Sequence, residues 1–184
     1  GLRTIPIGFV GKFERHRGDV VKQLLFSGVS VHVAGIGWKR FSEKLNHANL
    51  FYLGETLRGS DYQGFYENTK IGLGLLSKEF PELHTTRTFE IPYFGAVLAS
   101  ERTPEVVRYF DCSNALLYSS ITELVTKVHA LLKDNEGSAA VALKGNEMVS
   151  EGRFSWEKQI MKALERAGHD EESAMRPSQH KADD

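Results

Sequence analysis

The chain has a single cysteine, Cys112, so no disulfide can close within it and a thiolate metal cluster lacks its ligands. That sparing use fits a reducing, cytoplasmic setting. Neither sign of charge predominates: 23 Lys and Arg stand against 24 Asp and Glu, a formal net charge of -1. General binding to nucleic acid or anionic membranes wants a clear basic excess, so neither is expected. No apolar run approaches the roughly 20 residues of a membrane span. Gly8 and Gly11 do not make the G-x-G-x-x-G dinucleotide fingerprint. The histidines are scattered without metal-ligand spacing, no Ser–His–Asp or Cys–His set can be assembled, and there are no internal repeats.

What is present is an ordinary soluble composition, 41% hydrophobic and 26% charged over 184 residues, enough for one domain with a sizeable core. The chain opens Gly-Leu-Arg, without methionine or signal peptide, and is expected to be a piece of something longer. Apolar strands alternate with amphipathic helices, which predicts an α/β fold: a Rossmann-like α/β/α sandwich around a mostly parallel sheet of about six strands. Strands are expected at Ile5 to Val10, Val29 to Ala34, Leu50 to Leu53, Lys70 to Leu76, after Gly95, and at Ala115 to Tyr118. Helices are expected at Arg15 to Phe26, Asp61 to Asn68, a short stretch ending at Gly95, and Thr103 to Phe110. Three more follow: one capped by Ser120 and Glu123, one from Gly137 to Val149, and one from Ser155 to Ala167. The reading assigns residues 1–168 to this domain and 169–184, polar and aperiodic, to a disordered tail.

Three constellations could carry chemistry. The turn after the first strand, Gly11-Lys12-Phe13-Glu14-Arg15-His16-Arg17-Gly18, joins a strand-ending glycine to basic side chains and a helix start, the parts of an anion site. The bland alternative is a solvated basic turn. The segment Glu82-Leu83-His84-Thr85-Thr86-Arg87-Thr88-Phe89-Glu90 places an arginine between two acids just before a helix. A fixed carboxylate there can accept both hydroxyls of a ribose, and Arg87 can reach a diphosphate in bidentate fashion. The alternative is a local Arg87–Glu90 ion pair at i,i+3. Gly54-Glu55 after the third strand is a place for a base to lie against backbone groups, and His84 could donate to a sugar or phosphate. The aromatics Tyr62, Phe65 and Tyr66 are at core spacing.

Val10-Gly11-Lys12 followed by Arg17-Gly18 resembles the V-G-R…K-G motif that opens the C-terminal domain of group 1 glycosyltransferases of the GT-B fold. Thr85-Thr86-Arg87-Thr88-Phe89-Glu90-Ile91-Pro92 through Gly95 resembles the T-R-T-F-E-x-x-A-x-G signature of the CgeB-like, spore-maturation-type branch. The resemblance implies a domain that binds a UDP- or GDP-linked sugar as substrate, with no cofactor. A separate N-terminal domain would bind the acceptor, and any peripheral membrane contact would come through that missing part. It implies that Lys12 and Arg17 face the donor diphosphate and stabilise it as it leaves, and that Glu90 is the ribose-binding second acid of the E-x7-E motif. Glu82 stands at the first acid. Gly11, Gly54, Glu55, His84, Thr86, Arg87 and Thr88 complete the implied donor site. The lysine and arginine are exchanged relative to the usual order, and Pro92 implies a short or irregular helix after Glu90. Two other readings stay open at this point. One is a flavodoxin-like, non-enzymatic module binding a nucleotide or a protein; the other is a Rossmann-type enzyme acting on nucleotide sugars.

Overall fold

A computed structural model describes residues 3–150. β1 (Ile5–Val10) lies in the middle of a six-stranded sheet with β2 (Val31–Ala34), β3 (Leu50–Tyr52), β4 (Thr69–Gly74), β5 (Val97–Glu101) and β6 (Leu116–Tyr118). The order is β3-β2-β1-β4-β5-β6 and every pairing is parallel. Ile7 sits between Val31 and Ile71 in register, and all three are fully buried. A parallel sheet covered on both faces has this continuous apolar character.

Between the strands run α1 (Arg15–Phe26), α2 (Trp38–Leu45), α3 (Gly59–Glu67), α4 (Arg87–Tyr93), α5 (Ile121–Lys133) and α6 (Asn135–Ser150). α1 buries Val20, Val21, Leu24 and Leu25 against the sheet, joined by Leu124 and Val128 of α5. His129 of α5 lies 3.1 Å from the Ser27 hydroxyl, so α5 stands beside α1 on one face. On the other face, Tyr62 of α3 meets α4, and Asn146 of α6 donates to the Pro92 and Tyr93 carbonyls at the end of α4. The unit Gly1–Val149 holds these elements up to the last residue of α6. The helix expected at Ser155 to Ala167 and the tail expected at 169–184 lie outside the described residues.

Four local expectations are revised. α2 is an element that the sequence reading leaves unassigned, although Trp38, Phe41 and Leu45 at i, i+3 and i+7 are its inner face. Trp38 is fully buried and its indole N–H donates to the Gly11 carbonyl at 2.8 Å, tying α2 to the end of β1. β2 begins at Val31 rather than Val29, because the Val29 N–H still bonds Leu24 across the end of α1. The helix expected from Thr103 to Phe110 is only one 3-10 turn, Val106–Arg108. Thr103 does cap it, accepting from the Val106 N–H at 3.1 Å, but the adjacent β-branched Val106 and Val107 disfavour further helix. At α5 the capping box is shifted: Ser120 accepts from the Glu123 N–H, yet Glu123 reaches back to the N–H of Ser119. α4 is short, seven residues; it runs through Pro92 to Tyr93, and Gly95, at φ +76° and donating to the Pro92 carbonyl, turns the chain out of it.

The chain leaves β1 for β2 and β3 on one side, then crosses to β4 on the other. The sheet order therefore reverses between β1 and β4, where a parallel sheet of this type opens a crevice at its carboxyl edge. Gly35 shapes that edge. Its φ is +137°, and a Cβ there would lie 2.0 Å from the Gly11 carbonyl oxygen. Gly35→Ala is expected to lower the unfolding free energy by at least about 2 kcal/mol through strain and collision, as read from a urea melt. A loss within about 0.5 kcal/mol would mean that the two turns do not meet so closely.

Candidate functional site

β1 ends at Val10 and the chain turns through Gly11 to Glu14 before α1 begins. A Cβ on Gly11 would lie 2.9 Å from Nη1 of Arg87, so glycine is what lets the α4 guanidinium reach the end of β1. Arg87 Cζ lies 5.5 Å from the ring centre of the buried Phe9, and Arg17 Cζ lies 5.7 Å from the same centre. Two guanidinium groups thus flank one aromatic ring at the switch point, a cation–π arrangement.

Arg17 is not a loose surface cation. Its side chain is 4% exposed, and Nη1 pairs with Glu14 Oε1 at 2.9 Å while donating to the Lys12 carbonyl at 3.0 Å. Nη2 stands 3.7 Å from Glu82 Oε2. Glu14, equally buried, accepts the Lys78 N–H at 3.1 Å, and His16 Nδ1 lies 3.5 Å from it. Glu82 accepts the Ser77 N–H at 2.7 Å, and His16 Nε2 donates to the Leu76 carbonyl at 2.8 Å. These bonds lace the β1–α1 turn to the loop after β4. Burial alone would raise the Glu14 carboxyl. The Lys78 N–H, the Ser77 hydroxyl and the charges of Arg17 and His16 outweigh it and hold Glu14 below the ordinary glutamate value. Burial pulls Arg17 down, opposed by Glu14.

Lys12 differs. Its side chain is 62% exposed and meets Glu79 at 3.0 Å, an exposed pair worth at most about 1 kcal/mol, which an arriving anion can displace.

Glu90 sits one turn along α4 from Arg87, but the two make no ion pair with each other among the described residues. Glu90 Oε2 instead accepts from the Tyr62 hydroxyl at 2.6 Å. Burial, then the neighbouring Tyr66 and the bond to Glu90, push the Tyr62 phenol far above its ordinary range, so it remains a donor. Arg87 Nε is buried with no hydrogen-bond partner among the described residues. Such a donor is costly unless something accepts from it.

The remaining candidates fall around this centre. Gly54, at φ +127°, accepts the Gly35 N–H at 2.9 Å, and Glu55 beside it is exposed at the end of β3. They share the carboxyl edge but stand two strands from β1. His84 is exposed and edge-on to the Phe89 ring at 5.8 Å. Thr86 is exposed at the start of α4, while Thr88 is buried and its hydroxyl accepts the Thr85 N–H at 3.1 Å. Gly11, Lys12, Arg17, Glu82 and Arg87 are therefore brought together directly, with Glu90 one helical turn away. Three participants escape the sequence reading: Glu14, which pairs Arg17; Tyr62, assigned to the core; and Phe9, under both guanidinium groups. A local cue existed only for Glu14, three residues before Arg17. No group of three or more His, Cys, Asp or Glu residues among the described residues has metal-site geometry.

The sequence profile described as glycosyl transferase-like matches residues 15–165, most of the chain. This chain belongs to the glycosyl transferase-like family. No curated protein matches the sequence. The fold of this glycosyl transferase-like chain is similar to the C-terminal domain of a glycosyl transferase group 1 family protein, LpcC, from Francisella tularensis. The TM-score is 0.64 at 15% identity, covering 79% of this chain and 84% of that one. It is also similar to Anabaena Alr3699/HepE in complex with UDP-glucose, at TM-score 0.69 and 14% identity, covering 87% of this chain and 48% of HepE. A glycosyltransferase from Rickettsia africae matches at TM-score 0.66 and 15% identity, covering 88% and 47%. The glycosyl transferase-like chain thus spans about half the length of the two longer neighbours and corresponds to a single GT-B half. No helix among its described residues is long and apolar enough to cross a membrane.

Proposed function

We propose that this domain binds the nucleotide-diphosphate sugar donor of a glycosyltransferase, in the crevice between the carboxyl ends of β1 and β4. The observation that carries the reading is Arg87, whose buried Nε lacks an acceptor and whose guanidinium lies against Gly11, with Glu90 one turn behind it. Anion and ribose recognition are therefore next to each other at a topological switch point. Lys12 supplies a displaceable charge to the diphosphate, and Arg87 a planar fork. Arg17 acts through the turn it holds, by its bond to the Lys12 carbonyl. Glu90, oriented by Tyr62, takes the ribose hydroxyls; Gly54 and Glu55 receive the base; His84, Thr86 and Thr88 shape the loop over the donor. Glu82 binds the β4 loop to Arg17 and stands nearest the donor sugar.

Catalysis on this reading is stabilisation of the charge that develops on the departing diphosphate, by cations fixed before the reaction begins. HepE, whose structure holds UDP-glucose, supports a uridine nucleotide as the first to test. A second domain completes the cleft and carries the acceptor. Placement in the CgeB-like branch rests on the Thr85 to Gly95 signature.

The test is NMR shift mapping with UDP, GDP, ADP and NAD. Shifts confined to residues 11–17 and 87–90 with UDP or GDP are expected. Lys12→Ala and Arg87→Ala should each weaken binding of the diphosphate about tenfold while leaving the nucleoside unchanged. Equal losses for both ligands would remove the diphosphate role.

A further inference from the structure

α1 and α2 leave a groove between them that begins at the β1–α1 turn, with a cavity of about 640 Å³ whose lining includes Phe13, Arg15, Lys22, Arg40, Phe41 and Lys44. Its two helices present charge in register. Arg15 and Lys22 are two turns apart on α1, and Arg40 and Lys44 one turn apart on α2. Asp19 is the one acid among the lining residues, and none of the four cations enters an ion pair among the described residues. A chain of net charge -1 therefore concentrates unpaired positive charge in one place.

The apolar lining is equally specific. Phe13 and Phe41 stand 5.1 Å apart, each packed edge-on to the buried Trp38, so the apolar walls are rigid. Ile36, next to Gly37 of the lining, is 65% exposed. Cations around fixed aromatic rings, with an aliphatic side chain projecting alongside, match the layering of an anionic amphiphile: phosphate outside, hydrocarbon inside. An extended nucleic acid or an acidic peptide would use the cations but has no need of the apolar walls.

We propose that the α1–α2 groove docks this domain on the surface of an anionic bilayer, the four cations engaging lipid phosphates, Ile36 entering the headgroup layer, and the partly buried Phe13–Phe41 pair forming the apolar floor between them. The whole-chain charge balance, which argues against general membrane binding, does not register so local a patch. The inference does not require donor binding, although Phe13 and Arg15 of the groove lie in the same segment as Lys12.

The experiment is co-sedimentation of the full chain with large vesicles of phosphatidylcholine alone or with about 30 mol% phosphatidylglycerol, at low salt. Binding to the anionic vesicles only is expected, weakening as salt rises toward about 0.5 M. The triple variant Lys22→Glu, Arg40→Glu, Lys44→Glu should lose at least about a hundredfold in partitioning. Its urea midpoint, these positions being at the surface, should stay that of the parent. Ile36→Ser should lose severalfold while keeping the salt dependence. Equal sedimentation with both vesicle types, or a triple variant that binds as the parent does, overturns the proposal. So does binding to glycerol phosphate, polyglutamate or single-stranded DNA without binding to vesicles. If the triple variant unfolds, the Ile36→Ser result and the neutral-vesicle control decide alone.

Discussion

Glu14→Ala should lower the unfolding free energy by about 3–5 kcal/mol. The reason is what it leaves behind: Arg17, 3% exposed, would keep its charge with its close carboxylate gone and only Glu82 at 3.7 Å. The N–H of Lys78 would also lose its acceptor. Replacing both partners by apolar residues of similar volume, Glu14→Leu with Arg17→Met, should recover most of the loss, since a buried ion pair adds little net stability over packed hydrocarbon. Denaturant melts of the parent and the two variants check this. A single-variant cost below about 1 kcal/mol would mean that water reaches Arg17 and the burial is not retained in solution.

The same pair predicts the acid limb of stability. Glu14 is held below its ordinary value in the folded domain, so the unfolded chain binds its proton first as pH falls. Its stabilising contribution is complete above the ordinary glutamate range and disappears as pH drops through the lower folded value. Parent and Glu14→Gln unfolding curves should therefore converge in acid and separate toward neutrality. Curves that stay parallel from neutrality into acid would contradict the assignment.

The second large effect concerns recognition. Glu90→Ala should weaken UDP or GDP binding by about 2 kcal/mol, some thirtyfold, through loss of charge-assisted bonds to the ribose. Tyr62→Phe should cost less, about fivefold, because it removes only the hydroxyl that fixes the Glu90 carboxylate. A 2′-deoxynucleotide separates recognition from general disruption. If Glu90 holds the ribose, its removal must cost the deoxy ligand much less than the ribo ligand. An identical penalty for both would show that Glu90 acts elsewhere. Isothermal titration of the full chain reads all four combinations.

These two predictions rest on residues of different legibility. Glu90 stands out in the sequence because the segment from Thr85 to Gly95 resembles a known signature, not because of its spacing from Arg87. What the sequence leaves undecided is its partner. The i,i+3 spacing allows an Arg87–Glu90 ion pair, and the fold removes it by offering each side chain something else: Tyr62 to Glu90, and the face of Phe9 beside Gly11 to Arg87. Arg17 reads from its spacing as a charge for a ligand, whereas its geometry makes it the buried anchor of the turn that presents Lys12. A run of charged residues carries no mark of which member will be inside. α2 shows a different loss: Trp38, Phe41 and Leu45 have helical spacing, but a stretch so short between two glycine turns gives few repeats from which to see it.

The sequence by itself determined the alternation of strands and helices, the places where β1 and α1 begin and end, the face of α5, and the two segments that meet at the site. The elements follow from periodicities of two and 3.6 residues and from short-range capping, the two segments from their charged residues and their resemblance to a known motif. The tertiary structure alone decided that β1 and β4 are neighbours, and with them which cation is buried, which is displaceable, and which carboxylate a tyrosine orients. The pairings of the displaceable cation and of the oriented carboxylate join residues 28 and more positions apart, as in Tyr62 with Glu90 and Lys12 with Glu79. Such pairings depend on which strand lies beside which and on how each charge is desolvated there, and no local pattern of side chains encodes either.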